Sequence, residues 1–162
     1  MVGRKGPQSG GAECRLSDLG VQLPAAPTPF GSYVEAIQTG NLLFLSGMLP
    51  VVDHKPKYIG RLGKELDRET GRDAVYIAAL GALAAAKVHL GSLDRISRVV
   101  RLGIVIATFG DFFDQPRVAD AASDFFQAVF GIEKASVRSV VGVASLPLGV
   151  PVALDVIFEV AD

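Results

Sequence analysis

The chain has 162 residues, 49% of them apolar and 20% charged, which fits one packed domain and excludes a disordered or fibrous chain. Its formal net charge of −1 supplies no basic field to grip a phosphate backbone, so no nucleic-acid partner is expected. A single cysteine, Cys14, excludes an internal disulfide; with no apolar stretch after the early cations and no run near the roughly 18 apolar residues of a membrane helix, the expectation is a soluble, cytoplasmic protein without a membrane partner.

In chain order, residues 1–13 carry four glycines and early charge and read as a disordered leader, leaving 14–162 as a single domain. Pro24, Pro27 and Pro29 make Leu23–Phe30 an extended entry segment. Tyr33–Ile37 and Leu42–Met48 flank Thr39-Gly40-Asn41, a hairpin signal. A polar loop runs from Asp53 to Glu69, with Gly60 and Gly63 as turn points. Thr70 with Asp73 resembles a capping box, opening an Ala-rich helix that ends at Leu90 before a left-handed Gly91. Arg98–Ala107 reads as the third strand. Asp111 or Asp114 caps a second helix with Pro116 in its first turn, and Gly131 ends it. Val137–Val143 and Val152–Val160 are the last strands, expected to form a hairpin through Leu146-Pro147-Leu148-Gly149.

The order β-β-α-β-α-β-β describes an α/β (α+β) domain, a mixed sheet with two helices on one face. A half-solvated strand should alternate, yet Leu42-Leu43-Phe44-Leu45, Val140-Val141 and Val156-Ile157-Phe158 do not. Either one helix lies thinly on each face, or a second copy of the chain covers the open one. The layer argument favours a homo-oligomer.

The usual routes to chemistry are closed. His54, His89 and Cys14 are scattered and lack ligand spacing, so no metal is expected. Ser46-Gly47 lacks the preceding glycine of a nucleophile elbow. Gly60-Arg61-Leu62-Gly63-Lys64-Glu65 is too short for a phosphate loop, and no dinucleotide fingerprint follows a strand. No cofactor is expected. What remains is charge inside apolar strands, Arg138 and Asp155. A hairpin at Leu146-Pro147 would set them opposite each other, as a structural ion pair or as a site. In the second case Arg138 offers a planar fork for a carboxylate and Asp155 could orient a water.

Three segments, APTPFGSY (26–33), GNLLFLSGMLPV (40–51) and VRSVVGVASLPLGVPVALDVI (137–157), resemble the YjgF/RidA (Rid) family, also labelled endoribonuclease L-PSP. The resemblance spans roughly residues 17–160 and is nearest to a subgroup with a longer N-terminus and a loop like YIGRLGKEL. It implies a chorismate-mutase-like fold assembled as a homotrimer, with sheets inward and ligand clefts between subunits. The activity it implies is hydrolysis of reactive 2-imino or enamine acids to 2-keto acids and ammonia. By position, Arg138 aligns with the arginine that binds the substrate carboxylate and Tyr33 with the cleft tyrosine. Ser46 and Gly47 align with the Ser-Gly at the second strand's end, and Asp155 falls where many members carry the Glu that positions water. Val140 stands where many members have Cys, and Val118-Ala119-Asp120 where many have an Asn.

Three functions follow from these readings. One is a cofactor-independent imine deaminase, in which Arg138, Asp155 and Tyr33 act catalytically and Ser46 and Gly47 help to bind a small imino or keto acid. The second is a non-catalytic sensor of a small carboxylate in the same cleft. The third is the ribonuclease of the family label, which neither the charge nor the two isolated histidines support.

Overall fold

Asp67 sets the start of the longest helix: its carboxylate accepts from the Thr70 backbone N–H at 2.8 Å, closing one of the open donors of the first turn. The structure, a computed structural model, describes residues 10–162. The helix, α2 (Arg68–Leu90), therefore begins before the Thr70–Asp73 pair expected to cap it. Asp73 instead accepts from the Tyr58 hydroxyl at 2.5 Å. Gly91 ends α2 with φ 83°, the left-handed cap read from the sequence. By length and average composition α2 is apolar enough to cross a membrane, although its uncharged run, from Ala74 to Ala86, falls short of the roughly 18 consecutive apolar residues looked for in the sequence. Here it is the core helix, with Ala74, Ala78, Ala82 and Ala85 buried along its length.

The chain order is α1 (Ala12–Asp18), β1 (Ala36–Thr39), β2 (Leu42–Leu45), β3 (Val51–Val52), β4 (Lys55–Pro56), α2, β5 (Ile96–Ala107), α3 (Gln115–Phe130), β6 (Val137–Val143) and β7 (Val152–Val160). Five strands form one sheet in the order β1-β2-β7-β5-β6, and β3 pairs with β4 alone. The expected five-strand, two-helix plan is present, with two additions.

The first addition is α1. Ala12 and Leu16 are buried, and Glu13 accepts from Lys87 at 2.8 Å and from the Leu93 N–H at 3.0 Å. The leader expected over 1–13 thus gives way to packed structure at residue 12; residues 1–9 lie outside the described residues. The second addition is the β3–β4 hairpin inside the expected polar loop. Its turn residues Asp53 and His54 take φ 50° and 61°, the left-handed region that such a two-residue turn requires. Two-residue strands give no readable period.

Boundaries shift elsewhere by small amounts. The first strand starts at Ala36, and Thr39 pairs with Leu42, so the turn is Gly40-Asn41 alone. β2 ends at Leu45, and Met48 reaches Leu154 through an isolated bridge. Asp114 occupies the position before α3 but makes no capping bond. Its carboxylate takes Arg68 at 3.3 Å instead.

The largest departure is in strand order. β6 and β7 do not pair. β6 runs parallel to β5, while β7 inserts antiparallel between β2 and β5. This central place lets Val152, Leu154, Val156, Phe158 and Val160 lie buried on one face of β7. Each contributes about 1.5–3 kcal/mol that an edge strand would largely forgo. The opposite face of the sheet has no covering element among the described residues. It carries Ile37, Phe44, Val137 and Val141, all exposed, among two loose ion pairs, Arg98–Glu159 and Arg101–Asp155, each at 4.0 Å. That face is mixed, less apolar than the sequence runs suggested.

Candidate functional site

Arg138 is the second residue of β6 and pairs in register with Leu102 of β5. Leu102 is buried, so Arg138 shares the helix-covered side of the sheet, on its outermost strand. There the polar side of α3 meets it. Arg138 Nη1 donates to Asp120 Oδ1 at 2.7 Å and to Ser123 Oγ at 3.1 Å. Both bonds leave from one nitrogen. Among the described residues Nε and Nη2 make none. The three side chains line a cavity of about 250 Å³ with Val99, Phe126, Asp124 and Lys134, roomy enough for a small metabolite.

Asp155 lies elsewhere. It pairs in register with Gly103, one residue along β5 from Leu102, and one step of register puts a side chain on the other face. Its carboxylate is 59% exposed and sits 4.0 Å from Arg101. The ion pair expected between Arg138 and Asp155 is therefore not formed within the chain. Its premise was a β6–β7 hairpin, and β5 stands between the two strands.

Tyr33, Ser46 and Gly47 gather at the opposite edge of the sheet. Ser46 Oγ donates to the Val34 carbonyl at 2.5 Å, and its N–H donates to the Glu35 carbonyl at 2.9 Å. These bonds hold the end of β2 against the residues that enter β1. Tyr33 is exposed, and its hydroxyl accepts from the Phe30 N–H at 2.9 Å. Phe30 in turn stacks on His54 with ring centroids 4.1 Å apart, and His54 Nδ1 lies 2.9 Å from Thr28 Oγ1. The β3–β4 turn thus braces the loop that carries Tyr33. Beside Gly47 there is open space. Burial pushes the Glu35 carboxyl above its ordinary range, the one raised carboxylate at this edge among the described residues, and nothing in its sequence position announced it.

Two strands, β7 and β5, separate β2 from β6, so three spacings of about 4.8 Å, on the order of 14 Å, divide this cluster from Arg138. Within one chain the two clusters stay apart. Among the described residues no three His, Cys, Asp or Glu side chains are placed to hold a metal ion.

Comparison with known proteins gives the chain its family. Residues 13–160 match the family described as "YjgF/chorismate mutase-like, putative endoribonuclease". The chain belongs to this family. It is 38% identical to Protein TCP17 of Trypanosoma cruzi over 93% of this chain and 95% of that one. It is 31% identical to a 2-iminobutanoate/2-iminopropanoate deaminase of Dermatophagoides farinae, over 83% of this chain and 91% of the relative. A crystal structure of Atu1372, a protein of unknown function from Agrobacterium tumefaciens, superposes with a TM-score of 0.84 at 35% identity, covering 92% of each chain.

Within the YjgF family frame, two sequence features gain a location. Val140, at the position where the resemblance puts a Cys in many members, packs against the core and offers no polar group. Asp120, noted from the sequence only as the replacement of an amide, is the direct partner of Arg138. Ser123 was missed altogether. The signal was there: Asp120, Ser123, Asp124 and Gln127 recur at helical spacing opposite the apolar stripe of α3.

Proposed function

We propose that this YjgF-family chain is a cofactor-independent deaminase that hydrolyses small 2-imino acids to 2-keto acids and ammonia, in clefts between copies of a homotrimer. The observation that carries the reading is Arg138, presented at the sheet's outer edge into a cavity of small-metabolite size with Nε and Nη2 turned to no protein partner. A guanidinium edge of that kind suits bidentate capture of a carboxylate. The named activity of the Dermatophagoides relative supports the chemistry.

In this reading the iminium carbon, fixed by its carboxylate on Arg138, is attacked by water. A C=O bond forms in place of the C=N bond, and the iminium nitrogen takes both of the water's protons and leaves as ammonium, the protonated form of ammonia. Asp155, exposed on the open face, would orient that water in a neighbouring copy's cleft, and Tyr33, Ser46 and Gly47 would complete the same cleft. The separation of the two half-sites supports assembly, because only a second copy can bring the edges together. The cytoplasm is the proposed location, in keeping with a lone cysteine.

A second reading, a non-catalytic sensor of small carboxylates, draws on the apolar Val140 and on Asp120 already seated on Arg138. Ammonia release from freshly generated 2-iminobutyrate separates the two. Turnover that is absent in Arg138→Ala supports the deaminase; keto-acid binding without turnover in the unaltered protein supports the sensor.

A further inference from the structure

α2 is apolar around most of its girth, and such a helix needs cover on more than one side. Its fully buried stripe includes Ala74, Ala78 and Ala82. Beside that stripe run Ile77, Leu80 and Gly81, only half-buried. Residues 24–28 and the β3–β4 hairpin lie over them, and the cover is incomplete: a cavity of about 360 Å³ remains between the three elements, within the range of small-molecule sites. Two features of the sequence keep it open. Pro24, Ala25, Ala26 and Pro27 carry short side chains, and among the described residues no backbone hydrogen bond ties residues 22–29 to the rest of the chain. Gly81 interrupts a run of good helix formers, which weakens a helix relative to alanine. No packing demands it, because a Cβ built there meets nothing within 4 Å. The glycine makes room that no protein group uses.

From this we infer that the cavity is a second ligand site, for an uncharged, mainly apolar molecule with one hydroxyl end. The three polar side chains of the lining, Thr28, Asp53 and His54, decide the class; the others are aliphatic. Asp53 is exposed, and its carboxylate repels an anion. A cation would gain only an exposed pair, which contributes little, and would lose water against aliphatic walls. His54 stacks on Phe30 and sets Nδ1 2.9 Å from Thr28 Oγ1. Its Nε2 has no partner among the described residues, and it donates or accepts according to which ring nitrogen holds the proton. A hydroxyl does both, so it satisfies either form. The site is separate from that of Arg138, since no residue lines both cavities, and it does not depend on the proposed reaction.

The test is an NMR titration of the full chain with 2-phenylethanol, beside ethylbenzene, phenylacetate and 2-phenylethylammonium, which keep its ring and change its end. The unaltered chain should bind the alcohol about twofold to tenfold more tightly than ethylbenzene, the range of one neutral hydrogen bond, and more tightly than either ion. Gly81→Leu fills the cavity from its helix wall and should weaken the alcohol about tenfold or more. It should melt at or above the unaltered protein, leucine being the better helix former. Gly81→Ala leaves most of the volume and should bind with intermediate affinity, which protects the test should the leucine variant fold poorly. Arg138→Ala should bind the alcohol as the unaltered chain does. An unaltered chain that takes up no alcohol, or a Gly81→Leu variant that binds it equally well, overturns the inference. Equal or tighter binding of ethylbenzene or of either ion overturns the assigned class. A changed sedimentation mass in Gly81→Leu would show that a second copy fills the cavity, and overturns the inference as well.

Discussion

Arg138 and Asp155 were the two residues whose chemistry the sequence announced, as charges set in apolar strands. What the sequence could not supply was their pairing, which depends on strand order, and strand order on a chain passing from one edge of the sheet to its middle. The true partner of Arg138 lies 18 residues away on α3. That correction changes a stability forecast. A buried Arg138–Asp155 pair, broken on one side, would cost on the order of 3–5 kcal/mol. The observed Arg138–Asp120 pair is 28% and 45% exposed, and exposed pairs contribute about 0–1 kcal/mol. Arg138→Ala should thus leave the melting temperature within a few degrees while lowering keto-acid affinity roughly tenfold to a hundredfold. Asp155→Asn should also melt normally, because its Arg101 contact is long and wet, and should lose turnover while retaining ligand. Thermal melts beside calorimetry on both variants check this; a collapsed melt in Arg138→Ala with intact binding would sink the assignment.

At the scale of elements, periodicity carried the long ones and failed the short ones. α2 and α3 were legible because each runs for several repeats of its own spacing and ends on a glycine, and β6 and β7 because they are apolar runs on either side of Leu146-Pro147-Leu148-Gly149. α1 was not, since seven residues behind a glycine-rich stretch offer little more than one apolar face, Ala12 and Leu16. Its hold on the domain is partly electrostatic. Burial raises the Glu13 carboxyl, but the Lys87 ammonium and the Leu93 N–H outweigh it and hold the group below the ordinary glutamate range. A depressed carboxylate stabilises the fold above its unfolded pKa, and that contribution is lost as pH falls through the folded value. Deleting residues 1–9 should leave the melting temperature unchanged, whereas deletion through Glu13 should lower it by several degrees. Glu13→Gln should melt lower than the unaltered protein at pH 7, with the gap closing as both are acidified below about pH 4. Equal melts of the two truncations would show that α1 does not hold the domain.

The whole molecule presents one covered face and one bare one. Both long helices pack on the side of Leu43, Leu102 and Val156, and the other side keeps Ile37, Phe44, Val137 and Val141 in water. Apolar residues left exposed at both ends of one sheet face suit an interaction surface, and the proposed shared cleft gives that interaction a purpose. We expect sedimentation equilibrium to give three chain masses, and Phe44→Glu, which plants a charge in the middle of the bare face, to give one. Mass alone leaves open whether the clefts are shared, so the stronger test is complementation. Arg138→Ala removes one half-site and Tyr33→Ala the other, and each protein alone should fail to release ammonia from 2-iminobutyrate. When the two are unfolded together in equal amounts and refolded, chains assort at random within closed rings. A cleft built from Arg138 of one copy and Tyr33 of its neighbour is then intact in about a quarter of cases, and activity should return to that fraction of the unaltered protein. Separate refolding followed by mixing should restore far less, because a settled trimer exchanges subunits slowly. Activity that stays at zero in the co-refolded sample, with trimers present by sedimentation, would mean that no cleft joins Arg138 of one copy to Tyr33 of another.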